Sequence, residues 1–374
     1  MATRLGLAVL ALIASTAVAK SFIPKDDSVV LADVAAGTRH SELATWQIAS
    51  RRLDVALPLA QLYIKQARTT GDLRFLGYAE AVLGPWIGPD TTSADALVLH
   101  ATVLQSRHDF SDALKVLDRA RALRPDDAQS WLTSATVLRV LGEYEQSTAA
   151  CERIAEPVVT QLCRQGVKGL SGDLAAAYAA IQQIDSQGMP PEERAWRDSE
   201  LGEMAVRLGR DVEAEHWFQN GLRASPGDFY IRAAYADLLL RNGRAHEVLV
   251  LLEGCESLEP LLLRITSAQK ILRDPAFEQS SARLAAAFAA EAQRGDGVHR
   301  REEARFLLDV RDDPRAALAA ALENWKVQRE AEDVLVLLRA ARAAGLPEAA
   351  QPAVEFIRER RLQDVRVAAV GARS

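Results

Sequence analysis

Along most of the chain, small and large apolar positions alternate with polar ones at helical spacing, and the arrangement repeats every 34 residues. Ala101 is matched by Ala135, Ala113 by Ser147, and Pro226 by Pro260. The segment from Ala94 to Asp127 and the next, from Ala128, share this layout. Leu97, Ala101, Ala113, Ala120 and Pro125 mark one unit, and Trp131, Ala135, Gly142 and Ser147 the other. Two further clear units begin at Ala195 (Gly202, Gly209, Ala214, Phe218, Pro226) and at Phe229 (Ala236, Leu239, Gly243, Pro260). The period persists with degraded residues at Ala67 and Ala79, Ala282 and Ala289, Ala304 and Ala316, and Gly345 and Ala350. No stretch reads as a convincing strand, and the predicted elements are helices nearly throughout.

Small residues at the eighth and twentieth positions, a large one at the fourth and Pro near the thirty-second resemble the tetratricopeptide repeat (TPR) family. The resemblance covers residues 60–364 as about nine units, clearest over 94–161 and 195–262. It implies an all-α, right-handed solenoid of antiparallel helix pairs, with first helices lining a concave face and small residues letting paired helices approach closely. One pair cannot bury its apolar face alone, so the ends need caps. A capping helix region is expected over 41–59 and a C-terminal cap over 365–374, with 20–40 as an extended arm. The unit near Leu162 is shortened and is followed by a longer loop through Pro190 and Pro191.

The first 19 residues depart from the repeat. Arg4, the apolar run Leu5 to Ala14 and the small residues Ala17-Val18-Ala19 read as a cleaved secretory signal ending before Lys20. The run is shorter than the roughly 20 residues a membrane span needs. With the Ala- and Arg-rich usage, this predicts a bacterial protein, periplasmic or secreted. In such a compartment Cys151 and Cys163, six residues either side of Pro157, have two readings: a disulfide across a helical turn, or two buried thiols acting as small core residues. Cys255 is left over.

Composition narrows the function more than it names it. Of 374 residues, 49% are hydrophobic and 26% charged, with a net charge of −6 and no dense basic block, so nucleic acid is not an expected partner. Gly and Pro, 21 and 14, are scarce, as a helical chain requires. Chemistry-bearing motifs fail on spacing. His246-Glu247 opens like a zinc-binding HExxH, but Val250 stands where the second ligand belongs. Ser106, His108 and Asp109 are neighbours at a helix turn and cannot line up as a hydrolase triad, and Asp109 reads as the N-cap of a helix from Phe110. His100, Trp131 and Trp217 read as packed core residues. No catalytic residue, cofactor or metal is assigned.

What remains is the concave face. The resemblance directs the second, fifth, ninth, twelfth and thirteenth positions of each unit toward it, which selects Trp196, Arg207, Tyr230, Arg241, Arg301, Arg305, Arg339 and Arg342 as candidate partner-binding residues. Arginine forks suit carboxylates, so an acidic protein or peptide partner is expected. The competing reading pairs these arginines internally with Glu203, Asp237, Glu302 and Asp309. The family's Lys and Asn clamp for peptide carboxylates is absent, with Val98, Thr102, Leu132 and Thr136 at those places. A second candidate patch, Trp325 with Arg329, lies in Glu323–Glu330, which lacks the repeat's small residue and Pro; the competing reading has Trp325 filling the gap to the neighbouring unit. The predicted function is therefore a non-catalytic envelope scaffold or adaptor. The alternatives are a polysaccharide-binding accessory using Trp196 and Tyr230, and an enzyme with a site between repeats.

Overall fold

The computed structural model describes residues 51–294 and 300–371. The signal, the arm and most of the predicted N-terminal cap lie outside the described residues. Among the described residues there is no strand, and nineteen helices form nine antiparallel pairs and one terminal helix. The pairs are α1 Leu53–Thr70 with α2 Arg74–Leu83, α3 Ala94–Ser106 with α4 Phe110–Leu123, and α5 Ala128–Val140 with α6 Tyr144–Cys151. Next come α7 Pro157–Lys168 with α8 Leu174–Gln182, α9 Pro191–Arg207 with α10 Asp211–Ala224, and α11 Phe229–Arg241 with α12 Ala245–Leu251. The last three are α13 Glu259–Leu272 with α14 Phe277–Arg294, α15 Arg300–Arg305 with α16 Pro314–Val327, and α17 Ala331–Ala343 with α18 Gln351–Arg360, followed by α19 Val365–Gly371. The fold is thus an all-α solenoid, and the degraded units are complete helix pairs. The expected boundary between residues 59 and 60 falls inside α1, so the cap region and first unit are continuous from Leu53.

The small positions do the packing predicted of them. A Cβ at Gly202 would collide with the Phe218 ring, so glycine there is what lets α9 lie against α10. Ser147 is fully buried and donates to the Ala135 carbonyl at 2.7 Å, joining the two small positions of pair 3. Helix starts follow side-chain chemistry: Asp127 accepts from Ser130 N at 2.8 Å and Asp228 from Ile231 N at 3.1 Å. Asp109 corrects the sequence reading. It precedes α4, but its side chain makes no capping hydrogen bond. Its neighbour His108 (φ 62°) takes the left-handed turn position that Gly142, Gly209 and Gly243 fill in later pairs.

The solenoid curls until distant pairs touch. Residues from Ala135 to Val167 share one buried core with residues from Ala304 to Leu362. The turns of pairs 3, 4 and 5 rest on the C-terminal end: Gly142 on Phe356, Gly172 on Arg361 and Gly209 on Val365. Gly71, in the turn of pair 1, meets Leu258 ahead of pair 7. Backbone N–H groups stitch the seam, Arg329 N donating to the Val140 carbonyl at 2.8 Å and Leu174 N to the side-chain Oε1 of Gln363 at 3.0 Å.

Trp325 belongs to this seam. It is 8% exposed and stands edge-on to Phe356 at 5.5 Å between centroids, while Phe356 contacts Tyr144 at 6.0 Å. The Arg329 guanidinium lies 6.0 Å from the Trp325 ring. Of the two readings of Trp325, the structure takes the packing one: its ring fills a gap in the shared core and is not an exposed anchor. The residues that break the repeat pattern there close the solenoid on itself, and a buried anchor is unavailable to an outside partner.

Cys151 and Cys163 are disulfide-bonded across the α6–α7 turn with Cα atoms 5.6 Å apart, inside the same shared core. Cys255 is a half-buried free thiol. No helix among the described residues is long and apolar enough to cross a membrane.

Candidate functional site

Curling turns the concave face into a cavity of about 860 Å³. First helices supply most of its wall, including Lys65 and Arg68 of α1, Arg139 of α5, Glu200, Glu203 and Arg207 of α9, Tyr230 and Asp237 of α11, Arg264 of α13, and Arg301 and Arg305 of α15. Glu330 and Glu332 at the start of α17, with Arg366 of α19, complete it from the C-terminal end. Nine Lys or Arg and seven Asp or Glu side chains line the cavity. The local balance is therefore positive in a chain whose net charge is −6.

Most of these charges are paired to one another. Asp237 accepts from Arg264 at 2.7 and 3.1 Å and from Arg305 at 2.6 and 2.9 Å, tying pairs 6, 7 and 8 together. Burial alone would raise the Asp237 pKa, but the attraction and hydrogen bonds of the two guanidiniums win and hold it well below the usual carboxylate range. Arg139 pairs with Glu200 at 2.5 Å, Arg301 with Glu330 at 2.8 Å, and Arg366 with Glu332 at 2.6 Å and Asp364 at 2.7 Å. Behind the wall, Asp333 accepts from Asn324 at 2.7 Å and Gln328 at 3.1 Å, and its other oxygen receives the Glu330 N–H in a capping box. Glu203 is half-buried and hydrogen-bonded to Tyr230. Burial, then the neighbouring Glu200 charge, push its pKa up to about 7.

Five of the eight candidates meet in this cavity: Arg207, Tyr230, Arg241, Arg301 and Arg305. The other three do not line it. Trp196 is half-buried between the two largest cores and donates to Glu200 at 3.3 Å. Arg339 forms an exposed ion pair with Asp309 at 2.5 Å, and Arg342 donates to the Val370 carbonyl of α19. Internal pairing claims much of the set, since Arg305 is held by Asp237 and Arg241 by Asp211 at 2.6 Å. Tyr230 is 47% exposed. Arg207 is buried and donates to the Gly169 carbonyl at 2.7 Å. Among the described residues, Lys65, Arg68 and Arg207 enter no ion pair within 4 Å, and these three supply uncommitted positive charge.

The pattern that selected the candidates also pointed to cavity residues it left unnamed. Counted in their units, Arg68, Arg139 and Arg264 hold the ninth, twelfth and second positions, each assigned to the concave face. Arg366 lies beyond the last unit, and no periodicity leads to it. Among the described residues no group of three His, Cys, Asp or Glu is placed to hold a metal.

No family model and no curated protein matches the chain. Similarity appears among solved structures. A human IFIT1 dimer with PPP-AAAA is 13% identical over 80% of this chain and 70% of its own, with a TM-score of 0.48. The Pseudomonas aeruginosa pilF protein is 17% identical over 67% of this chain and 96% of its own, with a TM-score of 0.30. The TPR domain of P58(IPK) is 14% identical over 85% of this chain and 95% of its own, with a TM-score of 0.22. Likenesses this low transfer no site and no role to this chain.

Proposed function

We propose that the chain is a non-catalytic binding scaffold whose curled concave face receives a segment of a protein partner. The observation that carries this is the cavity of about 860 Å³, within the size range of ligand-holding clefts, lined mainly by first helices and carrying cations that the fold leaves unpaired. Tyr230 presents an exposed aromatic surface on its wall. The polysaccharide reading asks for two exposed aromatic platforms, and Trp196 is committed to packing and to Glu200. Export to an oxidising compartment is part of the same proposal. The signal-like Met1 to Ala19 and the Cys151–Cys163 disulfide support it from two sides.

The test is site-specific photo-crosslinking in extract of the cells that make the protein. The crosslinking amino acid replaces Tyr230 in the cavity or, in a second preparation, Val250, which is 76% exposed on the second helix of pair 6. A discrete adduct from position 230 and none from position 250 is expected. Adducts from position 250 alone, or none from position 230, overturn the proposal.

A further inference from the structure

Arg139, Arg241, Arg264, Arg301, Arg305 and Arg366 line the cavity and each holds a carboxylate at 2.8 Å or less. Arg207 does not, although at 5% exposure it is among the more deeply buried cations of the chain. The three carboxylates whose charges act on it most are otherwise engaged. Glu200 is taken by Arg139, Asp364 by Arg366, and Glu203 by the Tyr230 hydroxyl. We infer that Arg207 anchors a carboxylate of an acidic peptide segment entering the cavity, an assignment that rests on the cavity being the partner's seat.

The geometry of the guanidinium supports this. Nη1 donates to the carbonyl of Gly169, the C-cap of α7, at 2.7 Å. A helix C-terminus carries only about half a unit of negative charge, so this bond compensates the cation in part. The Nε–Nη2 edge remains, and that edge is the fork that grips a carboxylate with two parallel hydrogen bonds. Glycine at 169 leaves room for the Met204 methyl, which a Cβ there would approach to 2.8 Å. An uncompensated buried cation is costly, and burial pushes the Arg207 pKa down from its ordinary value. A ligand carboxylate removes that penalty on binding. A peptide fits better than a polyanion, because the seven wall carboxylates repel dense negative charge, while Leu170, Val206 and Leu258 offer apolar wall to neighbouring side chains.

The full chain is titrated with a fluorescein-labelled octapeptide of alternating Glu and Ala, and with its Gln–Ala counterpart, by fluorescence anisotropy. Parent, Arg207→Met and Arg207→Lys are compared, and each is melted without peptide. The Glu–Ala peptide is expected to bind the parent more tightly than the Gln–Ala peptide, and to lose about tenfold in affinity in Arg207→Met, as one charge-assisted contact predicts. Arg207→Lys keeps the charge without the fork and is expected to lose part of that. Unliganded Arg207→Met is expected to melt at or above the parent, because an unmatched cation has been replaced by an apolar chain. Three results overturn the inference: equal Glu–Ala binding by parent and Arg207→Met, no preference for Glu over Gln, or an Arg207→Met melt well below the parent, which makes Arg207 a cap on α7 and nothing more. Each of these leaves the cavity proposal standing, since crosslinking at position 230 does not depend on Arg207.

Discussion

Replacing Asp237 with Ala perturbs the cavity wall where three helix pairs share one carboxylate. The structure sets the magnitude. Four hydrogen bonds of 2.6–3.1 Å from Arg264 and Arg305 are lost, and Arg264, 5% exposed, stays behind without its counter-ion. Removing one partner of a buried pair costs about 3–5 kcal/mol. Asp237 is 28% accessible to the cavity, so water tempers the loss and about 2–4 kcal/mol is expected here. Urea unfolding followed by far-UV circular dichroism measures the total. A cycle with Arg305→Met isolates the shared term, expected at about 1–3 kcal/mol. Because Asp237 joins pairs 6, 7 and 8, hydrogen exchange is expected to quicken in α11, α13 and α15 and to stay unchanged in α3 and α4. A loss below about 0.5 kcal/mol, the scale of an exposed ion pair, refutes the reasoning by showing that the cavity screens its charges as bulk water does.

Phe356→Ala empties the ring that Gly142, Tyr144 and Trp325 pack against, with an expected loss of about 3–5 kcal/mol and a larger radius of gyration in X-ray scattering as the seam parts. An unchanged radius shows that the seam does not hold the curl. Reducing Cys151–Cys163, or changing both to Ser, releases a closed loop of sequence separation 12, which is worth about 3 kcal/mol on the chain-entropy account, and the melting temperature is the readout. Glu203→Gln tests the raised carboxyl. With its folded pKa at about 7, above the unfolded value, the native state keeps the proton and the parent loses stability as pH rises between the two values. The variant is expected to match the parent near pH 4 and exceed it at pH 8, by at most about 3 kcal/mol. Equal pH profiles contradict that assignment.

Which parts of this were legible beforehand follows from the range of the interactions. The pairing of helices was readable because it depends on residues within one unit, such as Gly202 against Phe218 and Ser147 against Ala135. Concave positions were readable only through what the resemblance implies for each register position, which led to Arg207, Tyr230 and Arg305 in the cavity but also to Trp196 and Arg339 outside it. The curl was not readable. It is made by contacts hundreds of residues apart, such as Gly142 with Phe356, for which a period of 34 carries no signal. That is why Trp325, a break in the pattern, could be read either as a docking patch or as a gap filler, since Phe356, the ring it packs against, leaves no trace in the period. It is also why Arg342 was assigned to the groove, when α19 returns to occupy that face through the Val370 carbonyl. Charge pairing was half readable. Asp237 and Asp309 were named as internal partners of the arginines, while Arg264 and Arg366, which complete the network, were not.

A partner seated inside the curled concave face is the central claim. Hydrogen exchange of the full chain, with and without the partner recovered by crosslinking, tests it most directly. Slowed exchange confined to the first helices, with α5, α9 and α11 foremost, is the predicted result. Protection on the second helices α10, α12 and α14, with the first helices unchanged, contradicts it and moves the binding surface to the outside of the solenoid.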